Sequence, residues 1–223
     1  PRTVALLVVV PALLMMLLRF MFNSSRAFSA VAPALLGIFP FLLLFLVTSI
    51  ATLRERTSGT LERLMTTPLA KLSLLAGYAL AFALLALVQV VVTTSVCLLL
   101  GLTVHGSLAW LLLVTMTDAM LGVALGLLAS AFATTEFQAI QFMPVVVLPQ
   151  LLLCGLFQPR REMAQLLRWA ADVLPVTYAV DALQRVAASA SVSGDVWRDF
   201  AVLAGYVAAA LVLAAASLRR RTA

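Results

Sequence analysis

Charge is what this sequence has least of: Asp, Glu, Lys and Arg make up 11% of its 223 residues, where soluble domains carry about 25%. Lysine is reduced to Lys71, histidine to His105 and cysteine to Cys97 and Cys154. Each scarcity removes a class of function. The two cysteines sit in apolar runs with no CxxC and no neighbouring His, so both read as small packing residues and no metal-ligand set is assigned. Asp118 is the one acid well inside an apolar run, and His105 lies in a short loop. Intramembrane catalysis would need paired acids, a Ser/His pair or metal ligands at matching depth, so no catalytic residue is assigned. No G-x-x-x-x-G-K-[ST] string and no other Gly-rich phosphate cradle occurs, so the chain is not expected to hydrolyse a nucleotide.

What fills the sequence instead is apolar, 64% of residues against roughly 45–50% in soluble domains. Runs such as Ala34 to Thr52 and Leu74 to Leu100 approach or exceed the roughly 20 residues a helix needs to cross the hydrocarbon of a bilayer. The expected fold class is therefore all-α, a polytopic membrane protein. Six spans are expected near 4–22, 32–53, 74–100, 108–132, 139–157 and 200–218, which puts both termini on one side. The first run is read as a span and not as a cleaved signal, because it is long, holds Pro11 and Arg19, and lacks a small-residue cleavage pattern. The net charge of +6 is dispersed over loops and chain ends. It reflects topology and contact with membrane lipids, and nucleic acid is not an expected partner.

Short connections at 23–29, 103–107 and 133–138 make consecutive helices near neighbours, while 54–73 and 158–199 are long enough for structure of their own. One side of the membrane collects Arg2, Arg54, Arg56, Arg63, Lys71 and Arg219 to Arg221; the other has Arg26 and the arginines of 158–199, with Arg19 in the adjoining span. The denser side is expected to be cytoplasmic. Segment 158–199 predicts two short amphipathic helices hinged at Pro175. Met163, Leu166, Leu167, Ala170 and Leu174 recur at helical spacing, and Val176, Ala179, Val180, Leu183 and Val186 repeat the pattern. Neither can span. They are expected at the outer interface or dipping partly back into the bundle, either as a packed loop or as a lid over an exit, with Trp169 and Tyr178 suited to headgroup depth.

The other long connection opens with RERTSGTLERLMTTPL, Arg54 to Leu69. On a helical wheel Leu61, Leu64, Met65, Leu69 and Leu72 share one side, opposite Thr60, Arg63 and Thr67. Ser58 and Thr60 are helix-starting types, Gly59 permits a tight approach, Glu62 complements the helix dipole, and Pro68 breaks the helix at Thr67. The pattern predicts an amphipathic surface helix between two spans, serving either as a solvated anchor or as a docking surface.

The same string resembles the E-x-x-x-G-T-L-E-x-L-x-x-x-P-L signature of ABC-2 type transporter permeases. GYALAFALLALVQ, SAFATTEFQAIQFMPVVVLPQLLLCGLF and LPVTYAVDAL follow in the same order as in that family. The resemblance covers nearly the whole chain and implies one transmembrane domain over 1–223 in a bacterial cytoplasmic membrane, with both termini cytoplasmic. It implies a permease that pairs with a second permease copy and with two copies of a separate ABC ATPase. This chain would bind no cofactor, and ATP and Mg would belong to the ATPase. The implied coupling surface comprises Arg54, Glu55, Arg56, Gly59, Thr60, Leu61, Glu62, Arg63, Leu64, Met65 and Pro68. Family members usually carry a cytoplasmic amphipathic helix before the first span; this sequence starts at Pro1, so that helix is expected to be trimmed or missing here.

Within the spans, a charged Asp costs roughly 2.5–3.5 kcal/mol at a helix centre on insertion scales, so Asp118 should face the bundle, a cavity or a partner. Asp118, Gln89, Gln141, the adjacent Phe142 and Arg19 are candidates for a substrate pathway; the alternatives are helix-to-helix hydrogen bonds, an Asp118–Arg19 pair, or snorkelling of Arg19. Gly122 and Gly126 form a G-x-x-x-G stripe for close helix contact, within the chain or across a dimer. Pro144 and Pro149 mark one span as the best candidate for a bend. The LERLMTTPL and EFQAIQFMP regions resemble the drug and antibiotic efflux branch, which implies an amphipathic small molecule as cargo. Export of a lipid or glycan, and ion-coupled secondary transport, stand as alternatives.

Overall fold

The structure is a computed structural model that describes residues 2–58, 71–191 and 193–219. Among these residues every regular element is helical: α1 (Arg2–Phe22), α2 (Ser25–Thr57), α3 (Lys71–Leu99), α4 (Leu108–Phe132), α5 (Glu136–Leu153), a 3-10 turn (Arg160–Glu162), α6 (Gln165–Val173), α7 (Pro175–Ala188) and α8 (Gly194–Arg219). The all-α expectation holds. Five helices are long and apolar enough to cross a membrane, within Ser25–Thr57, Gly77–Leu99, Leu108–Phe132, Glu136–Leu153 and Gly194–Ser217; the apolar stretch described in α1, Leu7–Phe22, is shorter.

The long helices run alternately up and down, so that the C-terminal end of α2 lies beside the start of α5 and the end of α4, while the turn at Asn23 lies beside Leu100. We call these the Arg54 end and the Asn23 end. Local chemistry sets several boundaries. Ser24 caps α2 by accepting from the Ala27 amide, Thr135 caps α5 by accepting from that of Gln138, and Pro175, which lacks an N–H, occupies the first turn of α7.

The centre of the bundle is the α2–α4 pair, the most extensive helix contact in the molecule. The G-x-x-x-G stripe makes it: a Cβ on Gly122 would sit 2.3 Å from the Phe41 carbonyl oxygen, and one on Gly126 would sit 2.6 Å from that of Phe45. The stripe therefore packs against α2 of the same chain, which settles the within-chain alternative for this contact. Helix α8 lies against α4, and α1 against α3.

Segment 158–199 divides at Leu174 into helices of opposite habit. Helix α6 is a surface helix with Ala171 as its buried residue. Helix α7 is inserted between α2, α4 and α8, burying Val176, Ala179, Val180, Ala182, Leu183 and Val186. Its alternation of Ala with branched residues lets it approach three helices closely. Its first free N–H groups need acceptors once removed from water, and Gln150 of α5 supplies one to the Val176 amide at 3.4 Å. The last long helix begins at Gly194 and not near 200, and it carries Asp195, Arg198 and Asp199 in its first two turns.

Candidate functional site

Of the residues expected to couple the chain to an ATPase, Gly59, Thr60, Leu61, Glu62, Arg63, Leu64, Met65 and Pro68 lie outside the described residues. The RER triplet at the root of that segment is described, and its side chains turn to the chain's own helices. Arg54 makes a two-pronged pair with Glu136 at the start of α5, Nε to Oε1 at 2.7 Å and Nη2 to Oε2 at 2.8 Å. Arg56 donates to the carbonyl of Ser130 at the end of α4. Glu55 interacts with the Tyr78 hydroxyl of α3. The last turn of α2 is thus tied to α3, α4 and α5 at once.

The energetics of these ties differ. Arg54 and Glu136 are both well exposed, so water and salt screen their attraction and the pair adds little stability. Its planar two-bond geometry specifies direction more than strength, since a guanidinium fork fits a carboxylate in one register. The Arg56 bond reaches a carbonyl in the last turn of α4, where the helix leaves acceptors unused.

The intramembrane candidates do not converge on one another. Arg19 donates from Nε to the Leu100 carbonyl at 2.9 Å and from Nη2 to Ser25 Oγ at 3.0 Å, so it holds α1 to the end of α3 and is engaged away from Asp118. Asp118 is fully buried against α2 and α7: a Cβ on Gly37 would lie 3.0 Å from its Oδ2 and 2.8 Å from Leu183 Cδ1. Neither carboxylate oxygen has a hydrogen-bond partner among the described residues. Gln89 of α3 is likewise buried with both amide atoms unpartnered, as are the hydroxyls of Thr48 and Thr52 on α2 and Thr93 and Thr94 on α3. Three packed helices therefore carry buried polar atoms without a hydrogen-bond partner among the described residues. Gln141 is exposed on α5, and its neighbour Phe142 is half-buried against the core near Leu53 and Ala139. Cys97 and Cys154 are free and buried.

Other functional groups were not legible beforehand. Glu136 reads in sequence as an ordinary first-turn acid, and nothing in the string TTEF points to Arg54. At the Asn23 end, Arg160 bridges Asp172 of α6 and Asp181 of α7, and Arg185 and Arg198 both reach Asp199 at 2.9 Å. Burial pushes the Asp181 carboxyl above its ordinary range, and the Arg160 guanidinium pulls it back down. Trp110, Trp197 and Phe200 stack edge-on at the same end, with ring centres of the two Trp 4.6 Å apart. That cluster matches the aromatic girdle of a membrane interface.

Residues 1–187 match the model of the ABC-2 type transporter family. The chain is 27% identical over 164 residues to ABC transporter G family member 20 of Dictyostelium discoideum, covering 73% of this chain and 22% of that protein. It is also 27% identical over 161 residues to a protein named "Probable multidrug ABC transporter permease YbhR" of Escherichia coli K12, covering 70% of this chain and 43% of the relative. The chain thus spans less than half the length of either relative. It belongs to the ABC-2 type transporter family, a family of multi-pass membrane permeases that work as part of ABC transporters.

Proposed function

We propose that this chain is the permease part of an ATP-driven exporter that moves an amphipathic small molecule out across a bacterial cytoplasmic membrane. A separate ABC ATPase, in two copies, docks on segment 54–69 at the cytoplasmic face, and two permease copies enclose the pathway. The observation that carries this reading is the three-way anchoring of the last turn of α2, through Arg54 to Glu136, Glu55 to Tyr78 and Arg56 to Ser130. A push on the segment that begins at Ser58 reaches α3, α4 and α5 together. ATP and Mg act in the partner. The cargo class rests on the name of the E. coli relative and on the resemblance of the EFQAIQFMP region, and the unpartnered polar atoms of Asp118 and Gln89 are the groups offered to cargo within the bundle.

The test is co-expression and co-purification with candidate ABC ATPase subunits from the same organism, followed by ATPase assay with amphipathic drugs and with lipids. Stimulation by drugs, lost when Glu62 and Leu64 are replaced, is the expected result; binding of the ATPase unaffected by those replacements would sink the docking role of 54–69. Stimulation by lipids alone would shift the cargo to the lipid reading. Asp118→Asn distinguishes ion coupling, since abolished transport with ATPase activity intact would mark Asp118 as a cargo or ion group.

A further inference from the structure

At the Asn23 end, a cavity of about 390 Å³ opens between the 3-10 turn, α6 and α7. Four guanidinium groups line it, those of Arg160, Arg161, Arg168 and Arg185, against the carboxylates of Asp172 and Asp181. The acids are already committed: both pair with Arg160, and Arg185 is neutralised by Asp199 and Asp195 outside the cavity. Two of the four cations have no acid partner among the described residues. Arg168 reaches only backbone carbonyls, those of Arg161 at 2.7 Å and Met163 at 3.4 Å, and the Arg161 side chain has no partner among the described residues. Arg160 Nε adds a buried donor with no acceptor. The fold has gathered guanidinium N–H donors around a space large enough for a polar headgroup, and neither Arg161 nor Arg168 meets an acid among the described residues.

The surroundings identify the kind of anion. Helix α6 turns Arg168 and Asp172 into the cavity, while Leu166, Trp169 and Val173, at helical spacing on a different face, are exposed, as is Phe157 just before the 3-10 turn. In water such a face would be a liability, but at a membrane interface it would lie among acyl chains. A basic cavity beside an exposed apolar helix face has the two halves of a phospholipid's chemistry, a phosphate for the guanidinium forks and hydrocarbon for the aromatic and branched side chains.

We infer that the cavity between α6 and α7 is a binding site for the phosphate headgroup of an anionic lipid of the outer leaflet, held by Arg161 and Arg168. Arg160 contributes its free Nε–H, while its two Nη groups stay paired with Asp172 and Asp181. The lipid would brace α6, the surface helix, against α7, the inserted one. The leaflet assignment rests on the proposed orientation with the Arg54 end in the cytoplasm; the site itself does not.

Native mass spectrometry of the intact protein in neutral detergent, without any ATPase, reads the site directly. The probes are phosphatidylglycerol, diacylglycerol with the same chains, and soluble glycerol 3-phosphate. Retention of phosphatidylglycerol over diacylglycerol is expected, falling about tenfold or more in Arg161→Gln/Arg168→Gln. Arg161→Gln alone, at a side chain the fold does not use, should show part of that loss with the thermal unfolding temperature unchanged. Equal retention of diacylglycerol, retention unaltered by either variant, or glycerol 3-phosphate binding as tightly as the lipid would each overturn the assignment. Labelling of Ser191→Cys by an impermeant maleimide from outside intact cells checks the leaflet; labelling only from the cytoplasmic side would overturn the outer-leaflet placement while leaving the ATPase assay of the coupling segment to stand or fall separately.

Discussion

Helices α4 and α5 follow one another in the chain, both apolar enough to cross a bilayer, yet 61% of the apolar window of α4 is buried and only 17% of that of α5. Helix α4 owes its place to small residues. Gly122 and Gly126 bring its backbone onto α2, and Ala119, Val123 and Ala124 fill the remaining contacts without exposed surface. Helix α5 has two prolines in place of glycines, and Phe137, Val145, Leu148 and Leu152 point outward. It is held near its ends, by Arg54 to Glu136 and by Gln150 to the Val176 amide. Closeness of backbones, not apolarity, separates a central helix from a peripheral one, because lipid tails satisfy an apolar side chain as well as a neighbouring helix does.

The sharpest way to break this contrast is Gly122→Leu. A Cβ there already overlaps the Phe41 carbonyl, so the α2–α4 contact must open, at a cost beyond the ~1–3 kcal/mol usual for overpacking. Little folded protein should survive detergent extraction, whereas Val145→Leu on α5 should leave the unfolding temperature unchanged; equal tolerance at both sites would end the contrast. Removing the acceptor on α5 is milder. Gln150→Leu strands the Val176 amide in the bundle, an expected loss of ~1–3 kcal/mol, read by thermal unfolding and by faster proteolysis of 158–191. The smallest effect on stability belongs to Arg54→Gln, because the pair it removes is exposed. Its consequence should appear instead as weakened drug stimulation of the partner ATPase, restored by the exchange Arg54→Glu/Glu136→Arg. Full stimulation in Arg54→Gln would show that α5 is not driven through this pair.

Much of this was legible in the sequence. The apolar runs and the break at Pro175 are local features, and each depends on residues within a turn or two of itself, whereas the caps at Ser24 and Thr135 became legible only in the structure. The target of the G-x-x-x-G stripe was not, because small residues announce a close contact without naming the other surface. Nor was the insertion of α7. Its amphipathic repeat resembles that of α6, and the difference lies in Ala179, Ala182 and Ala187, whose small size matters only beside α2, α4 and α8. The start of the last long helix at Gly194 was hidden by Asp195, Arg198 and Asp199, which hydropathy reads as loop and which the structure satisfies by pairing with Arg185 and with one another.

The sequence by itself determined that the chain resides in a membrane, is helical and belongs among ABC-2 permeases. An apolar run in hydrocarbon must satisfy its backbone hydrogen bonds internally, and a helix does so with no reference to the rest of the protein. Only the tertiary structure decided which helices form the core, which short helix enters it, and that Arg54 meets Glu136, Arg56 the Ser130 carbonyl and Arg160 the carboxylates of Asp172 and Asp181. Those choices depend on distances between residues far apart in the chain, and a pattern of residue types carries no distance until the helices have packed.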